Sequence, residues 1–357
     1  MLFSTQTLRS IIAGDSAVDL PALTLRTRDE ALSFLDAYGV DLDDPSDAAH
    51  AQQTRVRALD LLESTILRPS ERVPREVREL EDLPLLLMWA SGAGLGPELS
   101  PVEQRRRQVW SCVLLRVCHT LAHASNELDQ MYAPTIRQQI IARFEGHLHR
   151  SPDGLRLGSG DDSVPLVAFD VRPLKTLEAA TLKLLRAVEN VATNIFDWMG
   201  VRLVTHDEID AILAVRYLRA HHVIGFPNIL PGRSRNSLID LDQLEPQLLE
   251  LEANFSTLAE KVAGVRQLVR DRPSPAASHQ AHNPHSASAY RAIQFTCREM
   301  VRLPIGPNNS RAQFFFPYEV QILDAASYTA SQAGAASHGE YKQRQLEAVR
   351  ARVLAGT

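Results

Sequence analysis

Apolar residues recur at three- and four-residue spacing over Arg28–Tyr38 (RDEALSFLDAY) and Gln53–Leu67 (QTRVRALDLLESTIL), a period that predicts two amphipathic helices. An acidic, proline-containing stretch (DLDDPSDAAH) separates them, and a glycine- and proline-rich one (SGAGLGPELSP, Ser91–Pro101) follows. From Trp110 onward, Val113, Leu114, Val117 and Leu121 fall on one helical stripe. The pattern changes after Arg150. SPDGLRLGSGDDS is turn chemistry, and VPLVAFDV (Val164–Val171) is a short valine-rich run of the kind that forms a strand. A helix (Leu174–Ala187), a strand (Ile195–Val204) and a helix (Asp207–His221) are predicted next, then a strand at FFFPYEVQIL (Phe314–Leu323) and a helical tail. The order predicts an α+β fold: a mixed β-sheet flanked by helices, preceded by an all-α region. Domains are expected at residues 1–150 and 151–357. Asp240–Arg270 is rich in leucine and glutamate at helical spacing. Asp271–Ser288 has no aliphatic side chain larger than alanine and too little apolar surface to order itself. A mobile insertion at about 241–288 is therefore expected in the second domain.

Composition narrows the classes. At 357 residues, 45% hydrophobic and 23% charged, the chain can bury sizeable cores. Its longest strongly apolar run, Leu83–Ala90, is far short of the roughly 20 residues of a membrane span. The N-terminus lacks the charge and apolar pattern of a secretory signal, and three cysteines without a CxxC pair suit a reducing compartment. A cytoplasmic protein without a membrane partner is expected. Net charge −5 gives no global reason to bind nucleic acid.

The chemistry is concentrated in the second half. On the helix expected from Leu174, Lys175, Lys183 and Arg186 fall opposite the apolar stripe, and Arg172 precedes them at the strand end. Basic groups at a strand–helix junction can hold a polyphosphate; a solvated basic face would look the same. Asp197 leads an otherwise apolar strand that Arg202 interrupts, a place where a carboxylate can hold Mg²⁺ or simply make a turn. In FFFPYEVQIL, Phe314, Phe316, Tyr318, Val320 and Ile322 share one face, so Glu319 and Gln321 project together from the other. Two carboxylates on two strands could share a metal, or divide the roles of base and metal ligand.

Read in order, RPLKTLEAATLK (Arg172–Lys183), DWMGVR (Asp197–Arg202), PGRSRNSLID (Pro231–Asp240), AYRAIQF (Ala289–Phe295), YEVQIL (Tyr318–Leu323) and GAASHGEYK (Gly334–Lys342) resemble the successive motifs of the RelA/SpoT synthetase domain. The resemblance spans roughly Val164–Lys342. It implies a nucleotidyltransferase-like fold and Mg²⁺-dependent transfer of pyrophosphate from ATP to the 3′-hydroxyl of a guanine nucleotide, making the alarmone ppGpp. On this resemblance Arg172, Lys175 and Lys183 grip the ATP phosphates, and Asp197 binds Mg²⁺ with Arg202 five residues on. Arg233 and Arg235 form the basic segment after the Pro-Gly turn, and Tyr290 stacks on a purine acceptor base. Glu319 binds metal or activates the acceptor hydroxyl, Gln321 follows it, and His338, with Tyr341 and Lys342, closes the series.

The departures lie mostly on the acceptor side. Gln294 stands where the family has the histidine that helps hold the acceptor, Ser288-Ala289 replaces Asn-Gly, and Leu323 replaces an arginine. One extra residue separates Arg172 from Lys175. Two alternatives therefore stand beside synthesis: an inactive nucleotide-sensing or partner-binding module, and pyrophosphorylation of an RNA 3′ end as in toxic relatives. No part of residues 1–150 matches the family. There, His119 and His123 are spaced to share a helix face, as in many zinc sites; a polar surface packed on the second domain is the other expectation. His147 and His149 read as structural, the His279–His285 tract as loop composition, and Arg105–Arg107 as a solvated surface.

Overall fold

The computed structural model describes residues 23–124, 127–186, 197–270, 291–305, 310–332 and 338–355. In chain order, α1 is Arg28–Tyr38, α2 Pro45–Leu61, α3 Arg75–Arg78, α4 Leu83–Ala90, α5 Pro101–Ala124 and α6 Glu127–Glu145. There follow β1 (Leu148–Ser151), β2 (Gly154–Leu157), β3 (Val164–Arg172), α7 (Leu177–Arg186), β4 (Gly200–Thr205) and α8 (Glu208–Ala220). The rest comprises β5 (Arg235–Asn236), α9 (Leu241–Asn254), α10 (Leu258–Arg270), β6 (Ile293–Ile305), β7 (Ser310–Asp324), α11 (Ala325–Gln332) and α12 (His338–Val353). No helix among the described residues is long and apolar enough to cross a membrane.

The chain forms two compact units that no single cut separates. One comprises Met1–Asn126, Thr176–Asn194 and Gln343–Thr357; the other comprises Glu127–Lys175 and Ile195–Lys342. In the helical unit, α1 begins with a capping box between Thr27 and Glu30 and ends at Gly39, whose φ of 90° suits only a residue without Cβ. The stripe read from the sequence is the core: Val113, Leu114, Val117 and Leu121 pack with Leu62, Ile66 and Leu86. Leu185 of α7 and Val349 and Val353 of α12 complete that core. Arg116 donates to the Val353 carbonyl at 2.7 Å, and Arg350 pairs with Glu71 at 2.9 Å.

The His119 face packs on α1. Tyr38 Oη lies 2.8 Å from His119 Nδ1, and the His119 and His123 ring centroids are 4.2 Å apart. The partner is thus another helix of the same unit, which corrects the expectation of packing on the second domain. No group of three metal-ligating side chains exists among the described residues. Burial, and then His123, pull the His119 imidazole down to about 4. An unfolded histidine titrates near 6.5, so between these values the unfolded chain binds a proton that the folded one excludes. The helical unit should therefore lose stability as pH falls from about 6.5 toward 4. Thermal unfolding across that range should show the loss, and His119→Gln should flatten it.

The other unit holds a seven-stranded sheet in the order β1-β2-β3-β4-β7-β6-β5. All neighbours are antiparallel except β4 and β7. Ile136, Ile140 and Phe144 of α6 and Ala211, Ala214 and Leu218 of α8 form one core with Val201, Leu203, Phe295, Tyr318, Val320 and Ile322. This is the α+β class expected, and the apolar face of Phe314–Leu323 lies toward the core as its alternation required.

Two expectations are corrected, and one strand is new. The strand expected from Ile195 starts at Gly200, so Asp197 sits in the connector before it rather than within it. The first part of the insertion, expected to be mobile, forms α9 and α10. A Thr257–Glu260 capping box starts α10, and Arg266 anchors it to Asp207 at 2.7 Å and also to Asp210. Residues 271–290 lie outside the described ones. Finally, β6 is absent from the sequence reading, although Ile293, Phe295, Cys297, Val301 and Leu303 alternate toward the core. Glu299, at a core-facing position, interrupts the apolar series that would have revealed the strand; Arg143 lies 3.8 Å from it.

Candidate functional site

Cross-strand register aligns polar residues on the sheet face opposite the α6–α8 core. Asp170 is directly opposite Arg202, Arg202 opposite Gln321, Gln321 opposite Gln294, and Gln294 opposite Arg235. The parallel row beside it runs Arg172, Gly200, Glu319, Thr296. Directly opposed residues share a face, so five strands contribute to one polar surface.

Five residues of these rows are hydrogen-bonded to one another. Arg172 Nη1 donates to Glu319 Oε2 at 2.8 Å, and Gln321 Nε2 donates to the same oxygen at 2.7 Å. Gln294 Nε2 donates to Glu319 Oε1. Arg202 reaches Gln321 Oε1 at 3.1 Å, and its guanidinium lies 5.7 Å from the Tyr328 ring centroid on α11. Tyr328 Oη in turn donates to Asp170 at 3.2 Å. Glu319 and Gln321 are 7% and 5% exposed, so this polar face is buried where the sequence suggested only a turn away from the core. Gly200 makes the approach feasible: a Cβ there would lie 3.2 Å from Arg172 Cδ and 3.5 Å from the Glu319 carbonyl oxygen. The first distance is tight, so the Arg172 side chain would have to give by a few tenths of an ångström.

A second pair flanks the start of β4. Lys175 Nζ lies 2.5 Å from Asp197 Oδ2, with both side chains partly exposed. The Lys175 amide donates to the Trp198 carbonyl at 2.8 Å, and the Glu319 amide to that of Met199 at 2.9 Å, so the connector carrying Asp197 is tied to both neighbouring elements. Lys175 itself lies in the β3–α7 loop, because the helix expected from Leu174 begins at Leu177.

The structure thus brings together Arg172, Arg202, Gln294, Glu319 and Gln321, and pairs Lys175 with Asp197. Arg235 is exposed at the end of the first row, and Arg233 is exposed in the segment before β5. Lys183 lies on α7, in the helical unit. Tyr290 falls outside the described residues, as does the side chain of His338, the first residue of α12. Asp170, Thr296 and Tyr328 were missed. Period-two alternation with Arg172 would have placed Asp170 on this face, whereas nothing local marks Tyr328.

No protein-family model and no curated protein sequence matches the chain. Among solved structures, it is similar to the small alarmone synthetase 2 from Bacillus subtilis, at 16% identity and a TM-score of 0.28, over 52% of this chain and 72% of that one.

Proposed function

We propose that the sheet unit is a Mg²⁺-dependent pyrophosphotransferase that moves the β,γ-pyrophosphoryl group of ATP to the 3′-hydroxyl of a nucleotide. The observation that carries this reading is the bonding of Arg172, Gln294 and Gln321 onto one buried carboxylate, Glu319, beside the Lys175–Asp197 pair. In the reaction the acceptor oxygen attacks the β-phosphorus, the bond to the α-phosphate oxygen breaks and AMP leaves. The hydroxyl proton is lost to a base. Such transfer needs aligned reactants and neutralised charge more than a covalent nucleophile.

The donors present fit a metal unequally. Asp197, a carboxylate in a connector, suits a hard cation that wants oxygen ligands and keeps waters. Glu319 suits it less, because both its oxygens accept from side chains. A carboxylate has about four lone-pair sites. With three donors on Glu319, room for one more remains, enough for an acceptor hydroxyl. We therefore assign Mg²⁺ to Asp197, where it would neutralise developing phosphate charge, and hydroxyl positioning to Glu319. Lys175 and Arg172 would exchange their carboxylate partners for phosphate oxygens, and Arg202 would hold Gln321 in place.

A second reading, a nucleotide-binding module without turnover, draws support from Gln294. An amide at the acceptor side holds Glu319 but cannot relay a proton. AMP release from ATP and Mg²⁺ separates the two. The panel of acceptors is GDP, GTP, ADP and tRNA, with Asp197→Ala as control. Acceptor-dependent AMP that the variant lacks establishes transfer and names the acceptor. Nucleotide binding without AMP from the folded protein selects the second reading.

A further inference from the structure

Beyond the Glu319 row, β6 and β7 continue as a two-stranded hairpin whose register pairs Arg298 with Pro317, Met300 with Phe315, Arg302 with Gln313 and Pro304 with Arg311. These residues occupy one face, because the intervening Val301, Leu303 and Phe316 are buried in the core. Alternation makes it the same face that carries Gln294, Thr296, Glu319 and Gln321. Arg298, Arg302, Arg311 and Gln313 are exposed, and so is Phe315, at 45%. The Arg298 guanidinium lies 5.5 Å from the Phe315 ring centroid. No acidic residue occupies any of the outward positions of this strip, in a chain whose net charge is −5. From Arg298 to Pro304 the strip is roughly 20 Å long at the rise of a strand.

We propose that this outward face binds single-stranded nucleic acid. Three arginines spaced along an extended edge match a phosphodiester backbone, and the Phe315 ring offers an unpaired base a stacking face. An acidic peptide would use the arginines but has no need of the ring. A duplex would present phosphates with its bases already stacked. The proposal is independent of pyrophosphate transfer, since binding here requires neither Asp197 nor Glu319.

The test is fluorescence anisotropy of the full-length protein with a labelled single-stranded RNA about a dozen nucleotides long. Comparators are the same sequence as DNA, its duplex, and polyglutamate. RNA and DNA single strands should both bind. About three neutralised phosphates give a salt slope near −2, so affinity should fall about twentyfold between about 50 and 200 mM salt. Phe315→Ala should weaken binding by about fivefold or more. Arg298→Ala and Arg302→Ala should each reduce the slope by about 0.7. All three residues are exposed, and circular dichroism would check that each variant folds. No saturable binding at low salt would overturn the proposal. So would equal binding of duplex or polyglutamate that ignores Phe315→Ala. A dimer in sedimentation that Phe315→Ala dissolves, with no binding of either strand, would assign the strip to a second copy and also overturn it.

Discussion

Glu319→Ala should lower the melting temperature of the protein as well as abolish AMP release. Reasoning from strand alternation alone would make this a clean functional knockout, because Glu319 projects away from the apolar core. The structure changes that expectation. Glu319 is buried and accepts from Arg172, Gln294 and Gln321. Truncation leaves those donors without their acceptor, and each group stranded in this way costs about 1–3 kcal/mol. Arg172 is partly exposed and can turn to water, so its share is small. The two amides cannot do so as readily. A net loss of about 2 kcal/mol in a unit of this size shifts the melting temperature by about 4–8 °C. Glu319→Gln separates the effects. It keeps the shape and one accepting oxygen, so it should recover part of the stability while transfer stays at least about a hundredfold down. Calorimetry and AMP release on both variants check this. Full activity in Glu319→Gln would remove the carboxylate from the reaction.

The limits of the sequence reading follow from what alternation and spacing can encode. Period-two alternation put Glu319 and Gln321 on one face, and it does so because a strand allows nothing else. It could not say which strands lie beside them. The neighbours come from the β4–β7 parallel pairing and the β6–β7 hairpin. Only then do Arg202 and Gln294 meet Gln321. The apolar run DWMGV continues through Asp197, so patterning alone puts Asp197 on a strand. The strand begins only at Gly200, where β3 and β7 both pair. The helical unit was harder still. Its core is closed by α7 and α12, contributed from residues 177–186 and beyond 343, and no local pattern reports that a segment packs with a partner two hundred residues away. Tyr328 was hidden for a similar reason. An ordinary tyrosine on a short helix gains its role only when β7 delivers α11 beside Arg202 and Asp170.

Asp197→Asn should move nucleotide affinity in opposite directions with and without metal, and that crossing is what distinguishes a metal ligand from a structural carboxylate. In the structure Asp197 holds the ammonium of Lys175 at 2.5 Å. On the proposed reading, a nucleoside triphosphate arriving without a cation would compete with this carboxylate for Lys175 and sit near its negative charge. The neutral amide relieves both effects. In EDTA, ATP should therefore bind the variant more tightly, by about fivefold, which corresponds to about 1 kcal/mol for a partly exposed pair. With Mg²⁺ the order should reverse. On the proposed reading the wild-type carboxylate would pass from lysine to cation and the lysine from carboxylate to phosphate, so both would gain a partner at once. The variant forfeits the cation's share, and AMP release should fall by at least about a hundredfold. Lys175→Met should weaken ATP in both conditions, because it removes the cation that the phosphates would take up either way. Titration calorimetry of ATP into the variants, in EDTA and in Mg²⁺, reads all four cases. If Asp197→Asn weakens binding in both, the carboxylate serves mainly to hold the β3–α7 loop. If it strengthens binding in both, no metal uses Asp197, and the nucleotide-binding module without turnover becomes the better description.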